Sequence, residues 1–230
     1  RVHISGNHVG SWNFAATAYL NRWKVKIYYE HYFDDHSQMF FQYGRWKDGH
    51  IGLEITFPKN RFIDTFVYEG LGTKDQTGPM LYDSFWGKFE EQISAKDNYY
   101  NHYLYQGWQH WGMGIGNPLL PGPIYNKNGQ ITFISNRVLA HHIGFCGSPC
   151  QSLSYRMLLS YSRHWGTYDN PLNEIKKQFN SLFEVTYAPQ QLKGWSFTVS
   201  GAMDRGNLLG NNYGGMLVIR KQGIIKSGNK

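Results

Sequence analysis

The chain has 230 residues, enough for one large domain or two small ones, and they are 41% hydrophobic, 17% aromatic and only 17% charged. So many rings exclude a disordered chain. The lack of Gly triplets and heptads excludes a collagen or coiled-coil rod, and no run nears the roughly 18 apolar residues of a spanning helix. The net charge of +7 permits an anionic partner, but Lys and Arg are scattered, without the cluster that marks a nucleic-acid patch, so no nucleic acid is expected as partner. An aromatic-rich all-β soluble protein and a transmembrane β-barrel remain.

Period-two alternation predicts strands at 11–20, 23–33, 51–58, 62–74, 131–145, 151–163, 178–188, 195–204 and 214–222. In the second, Trp23, Val25, Ile27, Tyr29 and Phe33 share one face, and Lys24, Lys26, Tyr28, Glu30 and Tyr32 the other. Leu153, Tyr155, Met157, Leu159 and Tyr161 likewise oppose a face of Ser and Arg, and Trp195, Phe197, Val199 and Met203 oppose Ser, Thr and Asp. The polar face either meets water or lines a wet lumen.

The connections at 21–22, 59–61, 146–150 and 189–194 are short, and those at 34–50, 75–130, 164–177 and 205–213 are long. Outer-membrane barrels alternate in this way, with short periplasmic turns and long outer loops. The expected fold is therefore all-β, an antiparallel transmembrane outer-membrane β-barrel, with residues 1–230 a single barrel domain and 75–130 a long loop or plug. Closed single-chain bacterial barrels have an even strand number, so the odd count predicts at least one strand upstream and makes the chain the C-terminal portion of a larger barrel.

Several long motifs add to this reading. The run from Tyr29, YEHYFDDHSQMFFQYGRWKDGHIGLEITFPKN, resembles the Wzi family of outer-membrane capsule-assembly proteins in its Bacteroides-type form. So do DNYYNHYLYQGWQHWGMGIGNPLL (Asp97 to Leu120), SYRMLLSYSRHWGTYDNPL (Ser154 to Leu172) and DRGNLLGNNYGGML (Asp204 to Leu217). The resemblance implies a barrel of about eighteen strands in the outer membrane of a Gram-negative bacterium, of which the nine here would be half. It also implies a lectin that holds capsular or surface polysaccharide and is not an enzyme. Its partners would be that polysaccharide, outer-membrane lipid and lipopolysaccharide, and other outer-membrane proteins. A porin-like channel and a structural barrel subunit of a larger complex are the competing functions.

Segment 75–130 is unusually long for a connection. It carries the rings Tyr99, Tyr100, Tyr103, Tyr105, Trp108 and Trp111, interleaved with Asn101, His102, Gln106 and His110. Ring faces stack on the C–H faces of sugars while amides and imidazoles bond the hydroxyls, so these ten residues are the candidate carbohydrate site. The same rings would equally serve as the core of a folded plug. Asp97, His102, His110, Glu90 and Glu91 match no ligand spacing such as H-E-x-x-H, and adjacent carboxylates alone make no glycosidase, so no metal, no other cofactor and no catalytic residue is expected. Gly112, Gly114 and Gly116 precede Asn117-Pro118 rather than a helix and read as a turn with close backbone approach. Cys146 and Cys150 flank a short turn. Across a hairpin end they could form a disulfide in an oxidising compartment, or remain two free thiols.

Overall fold

The computed structural model describes residues 10–33, 48–60, 62–76, 98–101 and 108–223. Its frame is one antiparallel sheet of nine strands. These are β1 (Gly10–Leu20), β2 (Trp23–Phe33), β3 (Gly49–Thr56), β4 (Thr65–Gly72), β7 (Val138–Cys150), β8 (Leu153–Gly166), β9 (Pro171–Tyr187), β10 (Trp195–Gly206) and β11 (Asn212–Lys221). Between β4 and β7 an insertion carries the two-residue strands β5 (Gln109–His110) and β6 (Met113–Gly114) and a 3-10 turn at Pro123–Tyr125. Each strand of the sheet pairs with its neighbours in chain order, so β4 and β7 meet directly across the insertion. The sheet is not closed: among the described residues β1 and β11 are its two edges.

The strand count and order agree with the alternation in the sequence, but the connections correct it. β8 and β9 run on, so their link is 167–170 rather than 164–177, shorter than the 188–194 link at the other end. Short and long links therefore do not alternate without exception. The fifth strand starts at Val138, not at 131, because Phe133, Ser135 and Asn136 are buried in the insertion's own packing. Arg205, expected in the 205–213 link, belongs to β10, and Asn212 and Tyr213 begin β11, which leaves 207–211 as the link.

Residues opposite each other in an antiparallel ladder point to the same face, so the register assigns every strand side chain to one of two faces. One face is apolar and outward: Phe14, Ile27, Ile51, Phe183, Val199, Leu217 and Ile219 lie on it, all exposed. Tyr155, Leu159, Val185 and Phe197 share it. No described strand places an Asp or Glu there. Rings edge this face at both ends. Trp23–Phe57 (5.0 Å between centroids) and Trp195–Phe197 (6.3 Å) lie toward the short turns and Trp12–Phe33 (6.3 Å) toward a long connection, while Tyr68–His141 (6.1 Å) reaches to mid-strand.

The opposite face mixes charges of both signs, and they pair. Lys24 meets Glu54 (3.6 Å), Arg156 meets Glu184 (3.3 Å), and His50 lies between Glu30 (3.7 Å) and Glu69 (3.5 Å). The Tyr28 ring crosses Gly52 on the neighbouring strand, and its hydroxyl donates to Glu69 one strand further on. A Cβ at Gly52 would collide with that ring, which is why this row carries glycine. His141 and His142 point to opposite faces as neighbours in a strand must: His141 bonds Tyr68 on the apolar face (2.8 Å), His142 bonds Ser160 on the polar one (2.6 Å).

Candidate functional site

The insertion packs onto the polar face at the end of the sheet where the long connections emerge. Leu71, Val138 and Ala140, all on that face, are buried with Leu120 and Phe133, and Tyr32, Tyr100, Trp108 and Leu119 close around them. A polar seam fixes the contact. The Asn136 side chain donates to Asn98 Oδ1 (2.6 Å) and to the Tyr99 carbonyl (2.9 Å), and its own Oδ1 accepts from the Gln76 amide (3.2 Å). Thr73 Oγ1 donates to the Asn136 carbonyl (2.7 Å) and accepts from the Val138 N–H (3.1 Å). Each of these groups would otherwise be a buried polar atom without a partner, so the seam is specific as well as stabilising.

The candidate carbohydrate residues divide on this packing. Tyr99 is buried. Tyr100 stacks on Phe133 (5.2 Å) and meets Trp108 edge-on (6.2 Å). Asn101 is locked to Phe133 in both directions, its amide donating to the carbonyl (2.8 Å) and its Oδ1 accepting from the N–H (2.8 Å). These four residues belong to the core of the insertion. His110 and Trp111 do not: Trp111, at 85% exposure, tips the β5–β6 hairpin. Trp111 (φ 52°) and Gly112 (φ 78°) both adopt the left-handed turn that a two-residue hairpin link requires, and glycine takes the second position without strain. Gly112 accepts from the Ile124 N–H (2.8 Å), which sets the hairpin against the 3-10 turn and its exposed Tyr125. His102, Tyr103, Tyr105 and Gln106 lie outside the described residues, as do Glu90, Glu91 and Asp97.

The insertion and the link between β8 and β9 also line a cleft of about 970 Å³. Amides and hydroxyls line it: Asn98, Asn101, Asn128, Gln130 and Asn170 with Thr132 and Thr167, over an aliphatic floor of Ile131, Ile134, Pro171 and Leu172. None of the described residues that line it is charged. Asn170 falls in the 164–177 connection expected from the sequence, whereas Asn128 and Gln130 are not singled out by it. The signal for them was the polar turn Asn126–Gln130 before the apolar run, which is also ordinary turn chemistry.

The rim is braced by a buried acid. Asp48, just before β3, accepts from the Asp75 N–H (2.9 Å), the Gln76 N–H and the Tyr99 hydroxyl (3.4 Å). Burial pushes its carboxyl up from 3.8 to about 7, against the opposing pull of these donors. A carboxyl raised on folding contributes fully below its ordinary value, and the contribution is lost as pH climbs through the raised one. Between about pH 4 and about pH 7, the Asp75 and Gln76 amides are expected to lose protection from hydrogen exchange, after correction for the intrinsic rate. Asp48→Asn should flatten that dependence; protection that stays constant in the wild-type chain would contradict it.

The cysteines do not flank a hairpin end. Both lie on β7, whose turn to β8 is Gln151–Ser152, and the register slips between Gly147 and Cys150. Both thiols are free in this structure. The shift arises because β7 continues through Gly147-Ser148-Pro149 as a bulge, where a proline is tolerated.

Comparison with protein-family models, with curated proteins and with solved structures finds no match to this chain.

Proposed function

We propose that the chain forms part of an outer-membrane β-barrel that holds surface polysaccharide at its outer mouth without acting on it chemically. The capsule-assembly role is the one implied by the Wzi-type resemblance. The supporting observation is the division of the insertion: its inner rings make a core, while Trp111 and Tyr125 are left exposed on the same insertion that lines a mainly apolar cleft carrying amides and hydroxyls. Aromatic platforms next to hydrogen-bonding groups suit sugars, which present apolar C–H faces and a rim of hydroxyls.

A membrane setting is favoured by the sheet. Its exposed face is largely apolar across nine strands and carries no carboxylate on the described strands, more than the scattered apolar residues usual on a soluble monomer. In lipid the open edges β1 and β11 must be hydrogen-bonded to further strands, since unpaired backbone there costs several kcal/mol per group. Residues 98–101 and 108–137 sit on the inward face at the mouth, which argues against a wide conducting pore and for a plugged barrel.

The double substitution Trp111→Ala, Tyr125→Ala tests the site. Both rings are exposed, so the fold should be retained. Two stacking contacts at about 0.5–1.5 kcal/mol each predict a loss of about ten-fold in polysaccharide affinity. Wild-type retention of polysaccharide by cells carrying the double variant would remove these rings from the site.

A further inference from the structure

The basic residues scattered in sequence are gathered by the sheet. On the apolar face the charged side chains of the described strands are Arg163, Lys177, Arg205 and Lys221, all cationic. The first three occupy adjacent strands, β8, β9 and β10, at the end where the long connections emerge. Arg163 stands directly opposite Lys177. Arg205 stands opposite Phe179, two residues along β9 from Lys177. Directly opposed Cβ atoms lie about 5 Å apart and diagonal ones about 7–8 Å, so one headgroup can reach all three.

The neighbouring acids are occupied or face elsewhere. Asp204 points to the other face and accepts from Asn180 (2.7 Å), and Glu174 is taken by Lys176 (2.6 Å). Among the described residues the remaining carboxylates at this rim, Asp48, Asp75 and Asp169, belong to the connections and not to the strand face. Arg163 lies over the Trp165 ring (5.0 Å), and its buried Nε has no hydrogen-bond acceptor among the described residues. Immediately inward, Tyr161 and Phe179 form the aromatic row that in membrane barrels marks the lipid–water boundary.

Resting on the membrane reading above, we infer that Arg163, Lys177 and Arg205 form a binding site for the phosphate groups of a lipid headgroup in the outer leaflet, a phosphorylated glycolipid such as lipid A. Three cations beside an apolar wall match a ligand with phosphates at one end and acyl chains at the other. Arg supplies the bidentate fork that phosphate oxygens accept. The same three charges would have no purpose facing hydrocarbon, and their place above the aromatic row keeps them out of it.

The test uses the full chain in neutral detergent micelles, titrated with bisphosphorylated lipid A and with the same glycolipid stripped of its phosphates. A preference for the phosphorylated form is expected, weakening as salt rises. Arg163→Gln, Lys177→Gln and Arg205→Gln together should reduce it by roughly a hundred-fold, at about five-fold per charge. The single variant Arg205→Gln, at an exposed site, should lose about five-fold and guards against misfolding of the triple. Lys221→Gln, on the same face at the other end, should change nothing. An unaltered preference in the triple variant, or displacement of the lipid by inorganic phosphate alone, would overturn the site. Tryptophan quenching by brominated acyl chains, run in parallel, reports on Trp12, Trp23 and Trp195 of the apolar face. Its absence in the wild-type chain would instead remove the membrane reading, and the lipid site with it.

Discussion

Leu217→Lys is expected to block stable assembly in a membrane, while Met216→Lys next to it is tolerated. The two residues are neighbours on the same edge strand and both are more than half exposed, 65% and 56%. They differ in the face they occupy. Leu217 stands opposite Val199 on the apolar face, and Met216 opposite Ser200 on the mixed-charge face, where Glu184 is the next residue along the row. A lysine facing lipid at mid-depth costs about 2–4 kcal/mol, and one facing a wet lumen costs little. Refolding into vesicles, read by the midpoint in urea, separates the two. In a water-soluble sheet both exposed sites would accept lysine alike, so equal behaviour of the variants would count against a lipid-facing surface.

Phe133→Ala is expected to detach the insertion from the sheet. Phe133 is 2% exposed and holds the insertion together from three sides: its ring stacks on Tyr100, its backbone is bonded twice by Asn101, and it packs with Leu71, Val138 and Ala140 of the sheet. Truncating a buried phenylalanine costs about 3–5 kcal/mol in lost burial and cavity. The sheet keeps its ladder, so circular dichroism should still read as strand. Limited proteolysis should cut within 108–137 in the variant and spare that stretch in the wild type. Conductance in a planar bilayer should rise if the insertion plugs a lumen. An insertion that stays protected would show that its hold on the sheet does not run through this ring.

The sheet was legible because its signal is local. A strand with unlike faces must alternate, and Trp23-Lys24-Val25-Lys26-Ile27 does so without a break, so the residue pattern alone assigns its faces. The strand ends were less legible. Beyond the apolar band, β8 and β9 continue through His164 and Lys176-Lys177, polar residues that resemble a loop in composition although they are paired. Residues 131–135 fail in the opposite sense: Ile131, Phe133 and Ser135 alternate with Thr132 and Ile134, yet they line the cleft and the core.

The site was legible only as a set of residue types. Tyr100 and Trp108 have the chemistry to stack on sugar and use it on Phe133 and on each other, and Tyr99 is buried with its hydroxyl on Asp48, a choice that packing makes and sequence does not record. The cationic row was hidden for a similar reason. Arg163, Lys177 and Arg205 are far apart in the chain, and only the register of three strands brings them side by side.

The polysaccharide role is tested most directly by a glycan array probed with the wild-type chain in detergent micelles. Retention on a restricted group of surface polysaccharides, competed by the same free glycan, is the expected result. It would also identify the sugar that the uncharged cleft of Asn128, Gln130 and Asn170 accepts. No binding above that of an unrelated barrel, with the chain folded and its insertion protected from protease, would contradict it.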